Sequence, residues 1–165
     1  MLLTPVGLFI FGAFTFVFVL AGILVDRLLD LPGPLPEAAR FPIAIPVAVI
    51  GAFITGWSAF HFLKAKGTPV PFNPRQRLVC AGPFRWVRNP MLVGVFILLF
   101  GIGLGLNSLS LVLVFLPLYI LVNAWELRYI EEPELARRFG EEYLEYRRNT
   151  PMFIPTRRHG KGSRI

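Results

Sequence analysis

The stretch that decides the fold is PMLVGVFILLFGIGLGLNSLSLVLVFLPLYILVNAW, Pro90 to Trp125. It is two apolar runs, Pro90–Leu106 and Leu109–Trp125, parted only by Asn107 and Ser108. A connection that short forces the runs into an antiparallel helical hairpin. Each run approaches the length needed to cross a hydrocarbon core of about 30 Å at 1.5 Å per residue. Upstream, Pro5–Val25 is another uninterrupted apolar run, without the charged start and small-residue cleavage site of a secretory signal, and reads as an anchor that stays in the mature protein. Phe41–Leu63 is a further span, with Pro42 and Pro46 near its start and His61 near its exit, where the imidazole is expected to bond backbone or interfacial water.

Composition agrees with this reading. Of 165 residues, 55% are hydrophobic, and the mean hydropathy is +0.61, above the range of soluble domains. The expected fold is all-α: a single polytopic membrane domain over residues 1–165, with four transmembrane helices and an amphipathic C-terminal helix on the cytoplasmic side. The N-terminal helix pair occupies 1–63 and a hairpin-plus-tail core 64–165. The net charge of +7 resides on segments flanking the spans, which points to the anionic membrane surface and away from nucleic acid. Between Lys64 and Asn89 stand Lys64, Lys66, Arg75, Arg77, Arg85 and Arg88 with no acidic residue, so this loop is expected in the cytoplasm, with both termini on the same side. The polar connection Asp26–Arg40 then falls outside. In a bacterium this is an inner-membrane protein. Cys80 is the lone cysteine, so an intramolecular disulfide and a cysteine metal cluster are both excluded, and it is left out of the site.

The chemistry concentrates at the hairpin's mouth, GPFRWVRNPMLVG, Gly82–Gly94. Asn89 followed by Pro90 is a helix-start signal, an N-cap before a first-turn proline. That signal accounts for neither Arg85 and Arg88 before it nor Gly94 one turn later, where a bare backbone lets a ligand or a helix approach. Gly101, Gly103 and Gly105 continue a small-residue face suited to helix packing. Glu126, Glu131 and Glu132 follow the fourth run, and Pro133 is expected to stop its helix. Arginines on one side and glutamates on the other suit a ligand with an ammonium and a carboxylate, such as an amino acid. Beyond them Leu135, Phe139, Tyr143 and Tyr146 fall on one face of an amphipathic helix that lies at the interface or folds back over the spans.

Three motifs carry a family resemblance. The run GTPVPFNP from Gly67, the segment L-V-x-x-G-P-F-R-W-V-R-N-P-M from Leu78, and EEPELARRFGEEYLEYRRNTPMFIP from Glu131 resemble bacterial members of the isoprenylcysteine carboxyl methyltransferase family. The similarity covers about Gly67–Pro155. It implies a membrane-embedded methyltransferase that uses S-adenosylmethionine. By that resemblance Arg88, Asn89, Pro90, Gly94, Glu131 and Glu132 bind the cofactor, and Arg85, Arg88 or Arg147 orients a lipophilic acceptor. The fuller pattern R-H-P-x-Y-x-G is altered here by Asn89 and Leu92; asparagine keeps one hydrogen bond and leucine offers packing. No metal is implied. A carboxylate acceptor needs no general base, whereas an amine needs a glutamate or water to take its proton. Phospholipid N-methylation, a sterol-reductase-like reaction with a nicotinamide cofactor, and a non-enzymatic scaffold remain open alternatives.

Overall fold

The computed structural model describes residues 5–64, 78 and 80–155, and within them the chain is helical with no strand. The Gly67–Pro74 motif and the basic residues Lys66, Arg75 and Arg77 lie outside the described residues. Helix α1 is Pro5–Leu29 and α2 is Glu37–Lys64. A 3₁₀ turn, Gly82–Arg85, precedes α3, Pro90–Gly105. Helix α4, Leu116–Glu126, is flanked by π-helical turns at Leu111–Phe115 and Leu127–Glu131, and α5, Glu132–Phe139, continues it. Helix α6 is Glu141–Asn149.

Among the described residues, three helices are long and apolar enough to cross a bilayer: Phe11–Leu29, Glu37–Lys64 and Leu111–Phe139. Helix α3 is apolar but only 16 residues long, about 24 Å at the α-helical rise. The outward surfaces of α1, α2 and α4 with its preceding π turn are apolar, with Phe16, Leu20, Val49, Phe53, Leu113 and Leu121 all exposed, as helices facing lipid require.

Several boundaries depart from the sequence reading. Helix α1 runs four residues past Val25, because Asp26 is engaged in hydrogen bonds and Arg27 lies where a cation suits the helix dipole. Helix α2 begins at Glu37, whose charge suits an N-terminus, so Pro42 and Pro46 are interior. The fourth run does not stop near Trp125. It passes through Glu131, Glu132 and Pro133 to Phe139 by way of the second π turn. The aromatic stripe is not on one helix: Gly140, at φ 57° and ψ −134°, separates α5 from α6. That left-handed φ is one glycine adopts without steric cost.

The hairpin forms as expected. Asn107 takes a positive φ of 56°, and Ser108 Oγ accepts from the Leu111 amide at 3.2 Å, capping the next helix. Helix α3 is central. Against α2, a Cβ added at Gly94 would stand 2.6 Å from the Thr55 amide nitrogen, and one at Gly101 2.5 Å from the Ala48 amide nitrogen. Its opposite side contributes Leu92, Val95, Phe96 and Leu99 to a core shared with Leu116, Tyr119 and Leu127, which Phe11, Phe14 and Phe18 of α1 complete.

The end of the bundle away from Arg88 is held by charge. Asp26 accepts from the Ser108 hydroxyl and, at 2.9 Å, from the Ser110 amide, placing an anion at a helix start. Arg40 Nε donates to the Gly105 carbonyl at 2.6 Å, placing a cation at the end of α3. Asn107 Oδ1 accepts from the Leu35 amide at 3.2 Å. These residues, read from sequence as a plain polar connection, are the clasp of the bundle.

Candidate functional site

The site is built from three parts of the chain that meet at the start of α3. Asn89 is the N-cap, its Oδ1 accepting from the Leu92 amide at 3.4 Å, and buried Pro90 opens the helix. Arg88, one residue earlier, is thereby held at the helix mouth. The segment after α6 runs alongside: Arg88 donates its amide to the Pro151 carbonyl at 2.8 Å and Asn89 to that of Met152 at 3.3 Å. Phe153 anchors this segment edge-on against Phe96, with ring centroids 5.4 Å apart.

Glu132 arrives from the far side. Its side chain is 3% exposed and stands between two guanidinium groups, Arg88 Nη1 at 2.5 Å from Oε1 and Arg147 Nε at 3.3 Å from Oε2. Arg88 is 13% exposed and Arg147 45%. The Arg88 contact is charge against charge, out of line for a hydrogen bond. Arg88 Nε and Nη1 and Glu132 Oε1 are buried with no hydrogen-bond partner. Arg88 Nη1 and Glu132 Oε1 answer each other as an ion pair, so the cluster is a buried pair of opposite charges whose hydrogen-bonding capacity is not fully used.

The second π turn explains how Glu132 comes to be there. The buried positions along this long helix are Leu111, Leu116, Tyr119, Asn123, Leu127 and Glu132. Their spacings are five, three, four, four and five. In an unbroken α-helix a five-residue step overshoots a full turn by roughly 140° and would aim Glu132 away from the bundle. The Glu132 amide instead donates to the Leu127 carbonyl, five residues back, and the wider turn keeps it inward.

Helix α6 closes the third side. Tyr146 donates its hydroxyl to the Phe84 carbonyl at 2.7 Å, and Tyr143 is buried beside the ion pair. Burial pushes the Tyr143 phenol up, the Glu132 carboxylate adds to this, and Arg88 works in the opposite direction. The Tyr146 phenol is likewise raised, chiefly by burial. Both tyrosines are therefore neutral donors at ordinary pH.

Of the sequence candidates, Arg88, Glu132 and Arg147 form one ion-paired cluster, with Asn89 and Pro90 at its edge. Glu131 is half-buried on the adjoining turn. Gly94 lies one turn into α3, where its missing side chain admits Thr55 and Gly51 of α2. Arg85 is exposed on the 3₁₀ turn. Tyr143 reads from sequence only as part of the tail's aromatic face, not as a site residue, and nothing in the sequence marks the Pro151 and Met152 carbonyls. His61 bonds the Trp57 carbonyl at 3.1 Å, as expected, and its ring lies against Gly82, whose φ is 62°. Cys80 is exposed, with its thiol pushed up by partial burial and then by Glu142, a setting that does not favour a thiolate.

Fold and site together define a helical membrane protein with a buried, charge-paired polar cluster at one end of the bundle. A family model described as phospholipid methyltransferase matches residues 40–142, and the chain belongs to that family, which is of the same isoprenylcysteine/phospholipid methyltransferase type as the motifs resemble. It is thus a membrane methyltransferase by class. The matched span holds Arg88, Glu131 and Glu132 and ends before Tyr143 and Arg147. No curated protein matches the chain.

Proposed function

We propose that the chain transfers a methyl group from S-adenosylmethionine to a lipophilic acceptor whose reactive group is a carboxylate. The observation that carries this reading is the Arg88–Glu132–Arg147 cluster, a buried carboxylate held between two guanidinium groups at the mouth of α3. An amino acid's ammonium and carboxylate have the charges to exchange with this pair, carboxylate to arginine and ammonium to Glu132. S-adenosylmethionine, when bound, supplies an electrophilic methyl on a sulfonium. Arg88 and Glu132 grip the amino-acid end, Asn89, Pro90 and Gly94 shape the α3 start behind it, and Glu131 adds charge on the adjoining turn. Arg147 or Arg85, both solvent-accessible, orients the acceptor carboxylate, which is ionised at neutral pH and attacks without a base.

In this reading α3 also crosses the membrane, giving four spans with both termini and the site on the cytoplasmic side. The positive charge around the site end supports that orientation.

The family's description favours a second reading, phospholipid N-methylation. Glu132 is occupied by two arginines, so Glu131 or a water would then take the proton.

Calorimetry of S-adenosylmethionine with the detergent-purified protein tests the site: saturable binding that vanishes in both Glu132→Ala and Arg88→Ala is expected. A folded wild type that binds no methyl donor sinks the reading, and nicotinamide binding would replace it with the reductase-like one. Labelled product that releases methanol in base is an ester; base-stable label on a lipid amine selects N-methylation.

A further inference from the structure

The long helix holds the same backbone device twice. In each case a π turn ends one residue before an amide that donates five residues back, Leu116 to Leu111 and Glu132 to Leu127. In each case the next residue is a proline, Pro117 and Pro133, and both prolines are exposed. Exposure matters because neither ring is needed to fill the core. Their common property is in the backbone: a proline lacks the N–H of a regular α-turn, and its ring collides with the carbonyl four residues earlier, here Leu113 and Tyr129. Opening that turn by one residue moves the carbonyl aside.

The consequence differs between the two. At the first, Leu116 takes the inward place that Phe115 holds in a regular α-helix, one apolar side chain for another. At the second, two adjacent glutamates compete for one place. Glu131 stands four residues after Leu127 and holds the inward position in a regular α-helix; Glu132 stands five after it and holds that position only across the π turn. We infer that Pro133 is a positioning residue that sets the helix register, selecting Glu132 over Glu131 as the carboxylate facing Arg88 and Arg147.

The register itself is independent of any ligand; its bearing on methyl-donor affinity rests on the function proposed above. Pro133→Ala relaxes the turn, so the costly substitution moves from Glu132→Gln to Glu131→Gln. Thermal unfolding in detergent reads this directly. In the parent chain Glu132→Gln lowers the midpoint by about 10 °C and Glu131→Gln by far less, and in Pro133→Ala the order reverses. Deleting exposed Ile130 in the Pro133→Ala chain puts Glu132 four residues after Leu127 and restores its sensitivity. Should Pro133→Ala not yield folded protein, recovery of folded protein by that deletion supports the register equally.

An unchanged order in Pro133→Ala, or a deletion that rescues nothing, overturns the inference. If the order reverses and methyl-donor binding falls at least tenfold in Pro133→Ala and returns with the deletion, both the register and its role at the site stand. If the order reverses but no variant, parent included, binds the methyl donor, the register stands and the proposed function fails.

Discussion

Tyr146 reaches from α6 to donate a 2.7 Å hydrogen bond to the carbonyl of Phe84, four residues before Arg88. This bond joins the last described helix to the turn that presents the arginines, so the tail is part of the site's wall. The Arg147–Glu132 contact, one residue along, shares the same placement.

Tyr146→Phe removes that bond while keeping the ring. The Phe84 carbonyl belongs to a buried residue and loses its partner, at a cost of about 1–2 kcal/mol. Denaturation in detergent should show this loss, accompanied by weaker methyl-donor binding as α6 and Arg147 loosen. A variant matching the parent in both measurements would show that α6 is held by its other contacts.

Glu132→Gln leaves Arg88 buried without a counter-charge, and a broken buried pair costs about 3–5 kcal/mol. Glu141→Gln breaks the Arg148–Glu141 pair at 3.2 Å, but both partners are open to water, and the cost is about 0.5 kcal/mol or less. Equal midpoints for the two variants would contradict the burial of Glu132.

The contrast between these glutamates shows where sequence reasoning reached its limit. Hydropathy announced the helices because a bilayer demands long apolar runs, and Asn89-Pro90 announced the start of α3 because capping chemistry is local. Arg88 and Glu132 were legible as charges at span ends. Which of Glu131 and Glu132 turned inward was not, since that depends on one non-standard turn, and a proline in sequence reads first as a helix stop. Asp26 and Arg40 were also missed as clasp residues: their partners, Ser110 and Gly105, are distant in sequence and engage through backbone groups that no side-chain pattern reveals.

Gly94→Ala tests the α2–α3 contact. The added Cβ would collide with Thr55 Oγ1 and stand 2.6 Å from the Thr55 amide nitrogen, and backbone cannot step aside as a side chain end can. Overpacking of this kind costs about 1–3 kcal/mol. Gly56→Ala, on the same helix pair but with open space around its position, should be neutral or slightly stabilising. Parallel unfolding curves check both.

Asp26→Ala separates stability from function. It deletes the anion at the start of the long helix, together with hydrogen bonds from Ser108 and Ser110, at a cost of about 1–3 kcal/mol. The clasp is at the far end of the bundle from Arg88, so methyl-donor affinity measured below the unfolding midpoint should stay within twofold of the parent. A large loss of affinity with little loss of stability would mean that the two ends are coupled.

Alkaline pH gives the last prediction. The phenols of Tyr143 and Tyr146 have folded-state pKa values raised above the ordinary 10.0, mainly by burial. A raised pKa means that the folded chain holds these protons more tightly than the unfolded chain does. The stabilisation is therefore complete below about pH 10 and is lost as pH rises through the folded-state values. Stability should fall steeply above pH 10, and tyrosinate absorbance should lag behind that of free tyrosine until the chain unfolds. Tyr146→Phe should remove one late-titrating phenol; an unchanged late phase would assign it to the chain's other tyrosines.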